Sequence, residues 1–333
     1  PLGPARGATD RSILSGTEED PVSLIAWIVP MSLALAALAV TTPAGGQPST
    51  RLKIGLVRNR SEGPAAMASG GLTARLAARG CDVVTSAVVE LPPDEDRQYG
   101  AWNKTALENR QLGRLVSAAA GADLTIGLLT NCSDLLGMLA GLQRPAPESA
   151  AARRAGQPGL AGVRPRRVGL VWIDAHADFN TPETSLSGML GGMPVAIAAG
   201  MCLTRHRLAT GLDPALPTRY IVMAGLRDVD PLEQELLDRS DCETLTADDI
   251  RRRTPAIAGQ IDRLAALTDV IYVHIDMDVL DPAEVAGHPL TAPEGPTSAE
   301  LAGALEMMFR HPKVEALGLA SMPYGDRDKD GRS

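Results

Sequence analysis

The sequence predicts one large α/β domain, a mainly parallel sheet flanked by helices in three layers, from three observations. From Arg51 onward, short apolar runs alternate with helix-like stretches, the order that parallel βα units require. Most of these runs are apolar throughout instead of alternating, as strands covered on both faces are. Two polar motifs follow directly on apolar runs, at the strand ends where open α/β sheets bind ligands.

The candidate strands cover residues 52–57, 82–88, 124–129, 168–173, 220–223, 270–275 and 314–319. Helices are expected over 71–79, 105–120, 232–237, 247–267 and 298–309. Residues 143–167, rich in Ala, Pro, Gly and Arg, read as a solvated loop inserted between two strands.

At 333 residues and 44% hydrophobic content the chain can bury a large core. Its net charge of −8 supplies no continuous basic surface to neutralise a phosphate backbone, so nucleic acid is not expected as a partner. The cysteines Cys81, Cys132, Cys202 and Cys242 form no CxxC pair and suggest reduced thiols in a cytoplasmic protein. Residues 1–50 read as a tail ahead of a domain over 51–333. Residues 21–50 carry no charge, and 24–40 is nearly continuous apolar sequence broken by Pro30. A membrane anchor or export signal within 21–46 and an Ala-rich disordered tail both stay open. Glu18, Glu19 and Asp20 stand where a signal peptide has a positive flank. The chain begins at Pro1 and not at Met, so it is expected to lack its true beginning.

The first polar motif is Asp174-Ala175-His176-Ala177-Asp178, directly after the run 168–173. Carboxylate and imidazole groups two residues apart at a strand end have metal-ligand spacing. A polar loop capping a helix is the plainer alternative. The second motif is His274-Ile275-Asp276-Met277-Asp278, closing the run 270–273. Strand alternation would put His274, Asp276 and Asp278 on one face, where the two carboxylates repel each other unless a cation or hydrogen bonds relieve them. Together the motifs offer oxygen and nitrogen ligands for two divalent ions sharing carboxylates, a hard set that suits manganese.

These motifs resemble the arginase/agmatinase-like ureohydrolase family, most closely arginases. Residues 174–194, reading DAHADFNTPETSLSGMLGGMP, look like the arginase signature, and HIDMDVLDP looks like the second metal motif. GLRDVDP over 225–231 is similar to the loop that meets the substrate α-amino group, and the three occur in family order. The resemblance implies an arginase-like fold, two divalent ions and hydrolysis of a guanidino amino acid to urea and an amine. It implies a small guanidino or amino-acid-like substrate and a homo-oligomer. Asp174, His176, Asp178, Asp276 and Asp278 match metal ligands. Asn180, Ser185 and Ser187 match positions that hold the substrate α-carboxylate, and Asp228, Asp230 and Glu233 match those around its α-amino group. Loop capping is the plainer role for Asn180, Ser185 and Ser187, and a turn and helix start for Asp228 and Asp230. Asp178 is also the candidate proton relay.

Three departures from the family pattern bear on the chemistry. The sixth ligand, a His in the family, is matched by Cys132, either a thiolate re-tuning the site or an inert buried filler. Gly191 stands where the family has its active-site His, and neither Ala320 nor Ser321 supplies the glutamate that receives the guanidinium. His274 is the imidazole expected to compensate, as a catalytic or carboxylate-orienting group or else as a satisfied core histidine. His206, His288 and His311 have no motif around them and are expected to be exposed. A catalytically impaired homologue that binds metal or an amino-acid-like ligand is the competing reading. The resemblance leads us to expect that the domain over 51–333 lacks the terminal helix that family members add.

Overall fold

The computed structural model describes residues 51–145 and 164–324. Eight parallel strands form one sheet in the order β2-β1-β3-β8-β7-β4-β5-β6. They are β1 Leu52–Arg58, β2 Cys81–Val88, β3 Leu124–Leu128, β4 Val168–Ile173, β5 Ile221–Ala224, β6 Glu243–Leu245, β7 Val270–Asp276 and β8 Val314–Ala320. The central strands β3, β4, β5 and β7 are buried at every residue, which is why their sequences read as unbroken apolar runs.

Side-chain alternation divides the core between the two faces of the sheet. Val171, Ile173, Val273 and Ile275 join one apolar cluster with Ile257, Ile261, Leu264, Leu301 and Leu305, from the helices Pro255–Leu267 and Ser298–Met308. Leu170, Trp172 and Tyr272 join the other with Leu112, Val116, Leu135 and Leu139, from the helices Ala101–Ala119 and Leu135–Gln143. The three layers expected from the sequence are therefore present.

Several expectations need correction. Strand β6 has no counterpart in the sequence reading because only Leu245 of its three residues is buried. The single helix expected over 247–267 is two, Ala247–Arg252 and Pro255–Leu267. Arg253 breaks it in the left-handed region at φ 53°, and Pro255, which has no N–H to give, starts the second helix. The helix Leu135–Gln143 went unread because every one of its residues is buried and no polar face marks a period. It ends on Gln143, so the loop expected from 143 begins one residue late, and residues 146–163 of that loop lie outside the described residues. The apolar tail segment 21–46 and the end of the chain, residues 325–333, also fall outside them. No helix among the described residues is long and apolar enough to cross a membrane.

Candidate functional site

The site gathers at the C-terminal ends of β3, β4, β7 and β8. Asp174 follows β4 directly. Its N–H still donates to Ala224 O at 3.1 Å, and its Oδ1 accepts from the His176 N–H at 2.7 Å, which tightens the Asp-Ala-His turn. Two residues on, Asp178 adopts φ 48°, a left-handed conformation that costs a non-glycine residue energy and collects at functional sites. Its carbonyl accepts from Val195 N at 3.0 Å, which ties the turn to the helix Pro194–Ala198.

Asp276 is the last residue of β7, and its Oδ1 accepts from the Asp278 N–H at 3.0 Å. Asp278 lies beyond the strand in a 3-10 turn, Met277–Val279, so strand alternation does not place it. The turn nevertheless returns its carboxylate to the cluster, 3.3 Å from His176 Nδ1. Cys132 opens the 3-10 turn Cys132–Asp134 after β3, fixed by the Asn131 side chain accepting from Ser133 N. Its Sγ donates to Asp276 Oδ2 at 2.7 Å, an oxygen that Ser321 Oγ also reaches at 2.5 Å. Ser321, at φ 61°, ends β8 in another left-handed residue.

Four carboxyl groups thus share one buried pocket. Burial first, then the neighbouring Asp278 and Asp276, push Asp174 well above the usual carboxylate range, and burial with Asp276 does the same to Asp178. Burial and Asp278 raise Asp276. Burial opposes charge on His176, but its hydrogen bonds to Asp174 and Asp278 prevail and lift it to about 11. Cys132 is pushed up by burial and by Asp276, Asp178 and Asp174, so its sulfur is a thiol here and not a thiolate. The cluster behaves as a site that attracts positive charge.

Ligand atoms of Cys132, Asp174 and Asp178 lie within 4.8 Å of one another, as do those of Asp174, His176 and Asp278. A third such group joins Asp276 and Asp278 to His288. The expectation that His206, His288 and His311 are exposed is therefore corrected: all three are half-buried, and His288 stands beside the acidic cluster. It lies six residues beyond the second motif, which ends at Pro282, and no ligand spacing marks it in the sequence. His206 packs edge-on against Trp102, and burial lowers its pKa.

His274 is fully buried beneath Cys132. Its ring stacks on Trp172 at 4.3 Å, its Nδ1 pairs with Tyr272 Oη at 2.8 Å, and its Nε2 stands 3.5 Å from Cys132 Sγ. Burial lowers it to about 3, which keeps the imidazole neutral. It is packed behind the metal-ligand candidates and is not among the residues lining the cavity.

That cavity, about 460 Å³, is lined by every other site residue expected from the sequence. Asn180 is held by donation to Asp230 Oδ2 at 3.1 Å and acceptance from Thr184 at 2.8 Å. Ser185 and Ser187 accept from Gly188 N and Met189 N in the loop they begin, which is also the plainer capping role. Asp228 is exposed at the rim, 3.8 Å from His176 Nε2. Glu233 is buried, and its carboxylate accepts from Phe179 N at 2.7 Å and Asp230 N at 3.3 Å. It anchors the ligand loop to the start of the helix Pro231–Asp238, a structural task the sequence pattern alone does not show. Trp102, Leu290 and Ser321 also line the cavity and were not anticipated as binding residues. At Gly191 an added Cβ would meet only Met189 atoms at 3.8 Å and beyond, so the wall there has room for a side chain.

An all-parallel three-layer fold with an acidic, histidine-bearing cluster at its carboxyl edge defines an α/β protein with a candidate metal centre. The family model described as "Arginase family" matches residues 149–320, half of the chain, and the protein belongs to that family. Arginase of Entamoeba histolytica is 35% identical over 130 residues, 39% of this chain and 43% of its own. Arginase of Bacillus caldovelox is 32% identical over 153 residues, 45% and 51% of the two chains. The chain thus spans about half the length of these curated relatives. Mitochondrial arginase-2 of Homo sapiens aligns more widely, at 29% identity over 276 residues and 76% of this chain. The solved B. caldovelox arginase superposes with a TM-score of 0.66 at 23% identity, covering 80% of this chain and 90% of that one. At that identity the likeness shows the fold.

Proposed function

We propose that this protein is a hydrolase of linear amidines that depends on two divalent ions and cleaves a guanidino amino acid to urea and an amine. The observation that carries the reading is the meeting of Cys132, Asp174, His176, Asp178, Asp276 and Asp278 from three strand ends at one cavity. Their donor set fits the ions: buried carboxyl groups that raise one another's pKa are relieved by positive charge, and oxygen with imidazole suits manganese. When bound, such ions act as Lewis acids and lower the pKa of water near them. The chain's own residues do the rest. Asp178, which lines the cavity beside the cluster, is the candidate to relay a proton to the leaving amine. Asn180, Ser185 and Ser187 orient an α-carboxylate, and Asp228 and Asp230 attract an α-amino group. The solved E. histolytica arginase, similar to this chain, is described in complex with L-ornithine, which supports an amino-acid-like ligand.

A specific observation favours a second reading, a homologue that holds metal and an amino-acid-like ligand with little turnover. Gly191 leaves open wall where a proton-transferring side chain would stand, and Ser321 is committed to Asp276 and is not free to receive a guanidinium. Urea release from arginine, agmatine and related guanidino compounds, measured with manganese-supplemented full chain, separates the two. Slow release is expected, with Gly191→His raising it toward the roughly 10²- to 10⁴-fold that acid-base groups contribute. Complete absence of urea from every compound, in wild type and variant alike, would leave the binding reading.

A further inference from the structure

We propose that His288 is a metal ligand, forming with Asp276 and Asp278 a triad that brings to the centre an imidazole not foreseen from the motifs. The inference rests on the metal-centre reading above. Donor atoms around one ion sit about 2.0–2.3 Å from it and so must lie within roughly 4.6 Å of each other. The His288 ring nitrogen and the two carboxylate oxygens meet within 4.8 Å, so only a small adjustment closes them on an ion.

The His288 loop is built to hold that position. Gly287 takes φ 98° immediately before it, and the His288 N–H donates to Val285 O at 3.0 Å. His288 Nδ1 accepts from Leu290 N at 3.3 Å, which orients the ring, and Leu290 itself lines the cavity. Arg227 then fastens the far end of the loop to the metal turn. Its Nη2 donates to both Asp278 O and Ala292 O at 3.3 Å, and its Nε donates to Pro293 O at 2.9 Å. One guanidinium therefore ties the loop to the backbone of the metal turn. Asp278 lies between two imidazoles, His176 at 3.3 Å and His288 within the triad. The result is a centre unequal in its donors: Cys132, Asp174 and Asp178 offer no nitrogen, while Asp174-His176-Asp278 and Asp276-Asp278-His288 carry one imidazole each and share Asp278. Hard divalent ions favour these two groups over the one that contains the thiol.

The test uses the full chain with Mn²⁺ alone. Calorimetric titration of wild type should show binding, and His288→Ala should weaken the tightest site by at least about tenfold. His288→Asp, which keeps an oxygen donor, should retain most of it and guards against a merely misfolded alanine variant. Pulsed EPR of bound Mn²⁺ in protein carrying ¹⁵N-histidine should show two coupled imidazoles across the bound ions, and one after His288→Ala. A residue that only ion-pairs with Asp278 would not give the second nitrogen coupling. Unchanged affinity and an unchanged nitrogen signal in His288→Ala would overturn the assignment and leave the metal centre standing. Absence of Mn²⁺ binding in wild type would overturn both.

Discussion

Asp174, Asp178, Asp276 and Asp278 bury four carboxyl groups, two of them against the His176 imidazole, and hydrogen bonds and positive charge offset the solvation they lose. Asp276 occupies the centre of this arrangement, touching Cys132, Ser321 and the Asp278 backbone. At the residue scale the account therefore predicts that Cys132→His strengthens manganese binding, because imidazole is a harder donor than thiolate. Alkylation of Cys132 with and without metal checks the ligand role: protection by metal is expected, and equal labelling would make the sulfur a filler. These residues were legible in the sequence because carboxylates two apart after an apolar run are unusual enough to carry information. His288 was not, since a lone His in a loop of Pro, Gly and Ala has no local pattern. Glu233 was legible as a site residue but not as a backbone anchor, because the Phe179 N–H it meets is 54 residues away.

Among the elements, the helices Ala101–Ala119 and Leu135–Gln143 approach so closely that a Cβ at Gly141 would lie 2.5 Å from Gly113 O and 2.6 Å from Val116 Cβ. Gly141→Ala gains about 1 kcal/mol of helix propensity but forces backbone apart, for which overpacking costs of about 1–3 kcal/mol are usual. A net loss of stability is predicted, visible as a lower denaturant midpoint at unchanged slope. Because the turn bearing Cys132 abuts this pair, metal binding should weaken in the same variant. At the opposite end of the sheet, Asp269 accepts from Arg167 N at 2.8 Å, Arg167 Nη2 at 2.9 Å and Arg164 Nη1 at 2.9 Å. Burial would raise its pKa, but the arginine hydrogen bonds overcome this and hold it well below the usual range. A carboxylate depressed on folding adds stability above its unfolded pKa, about 3.9, and loses it as pH falls below that. Asp269→Asn should thus be less stable than wild type by about 1–3 kcal/mol at pH 7, with the gap closing below pH 4. A constant gap across pH would contradict the assignment. Strand positions were readable from apolar runs of the right length, whereas β6 and the helix Leu135–Gln143 lacked contrast between buried and exposed positions.

For the whole molecule, an all-parallel sheet with two separate apolar clusters leaves its carboxyl edge as the place where polar side chains from distant segments meet. The two covered faces supply rigidity, and the site is confined to loops that end central strands. This is why the family membership and the fold were legible from motifs in order along the chain, while the depth of the cavity and the company kept by Ser321, Trp102 and His288 were not. Those contacts depend on how loops return over the sheet, which no local spacing encodes.

The central claim is that this edge is a divalent-metal centre, and metal content of the purified full chain tests it most directly. Wild type dialysed against Mn²⁺ should retain metal and melt at a higher temperature than after chelation, because an ion that binds only the folded state stabilises it. Asp276→Ala should lose most of that metal and the thermal gain with it. Equal metal content and equal melting temperatures in wild type and Asp276→Ala, with and without chelator, would contradict the account.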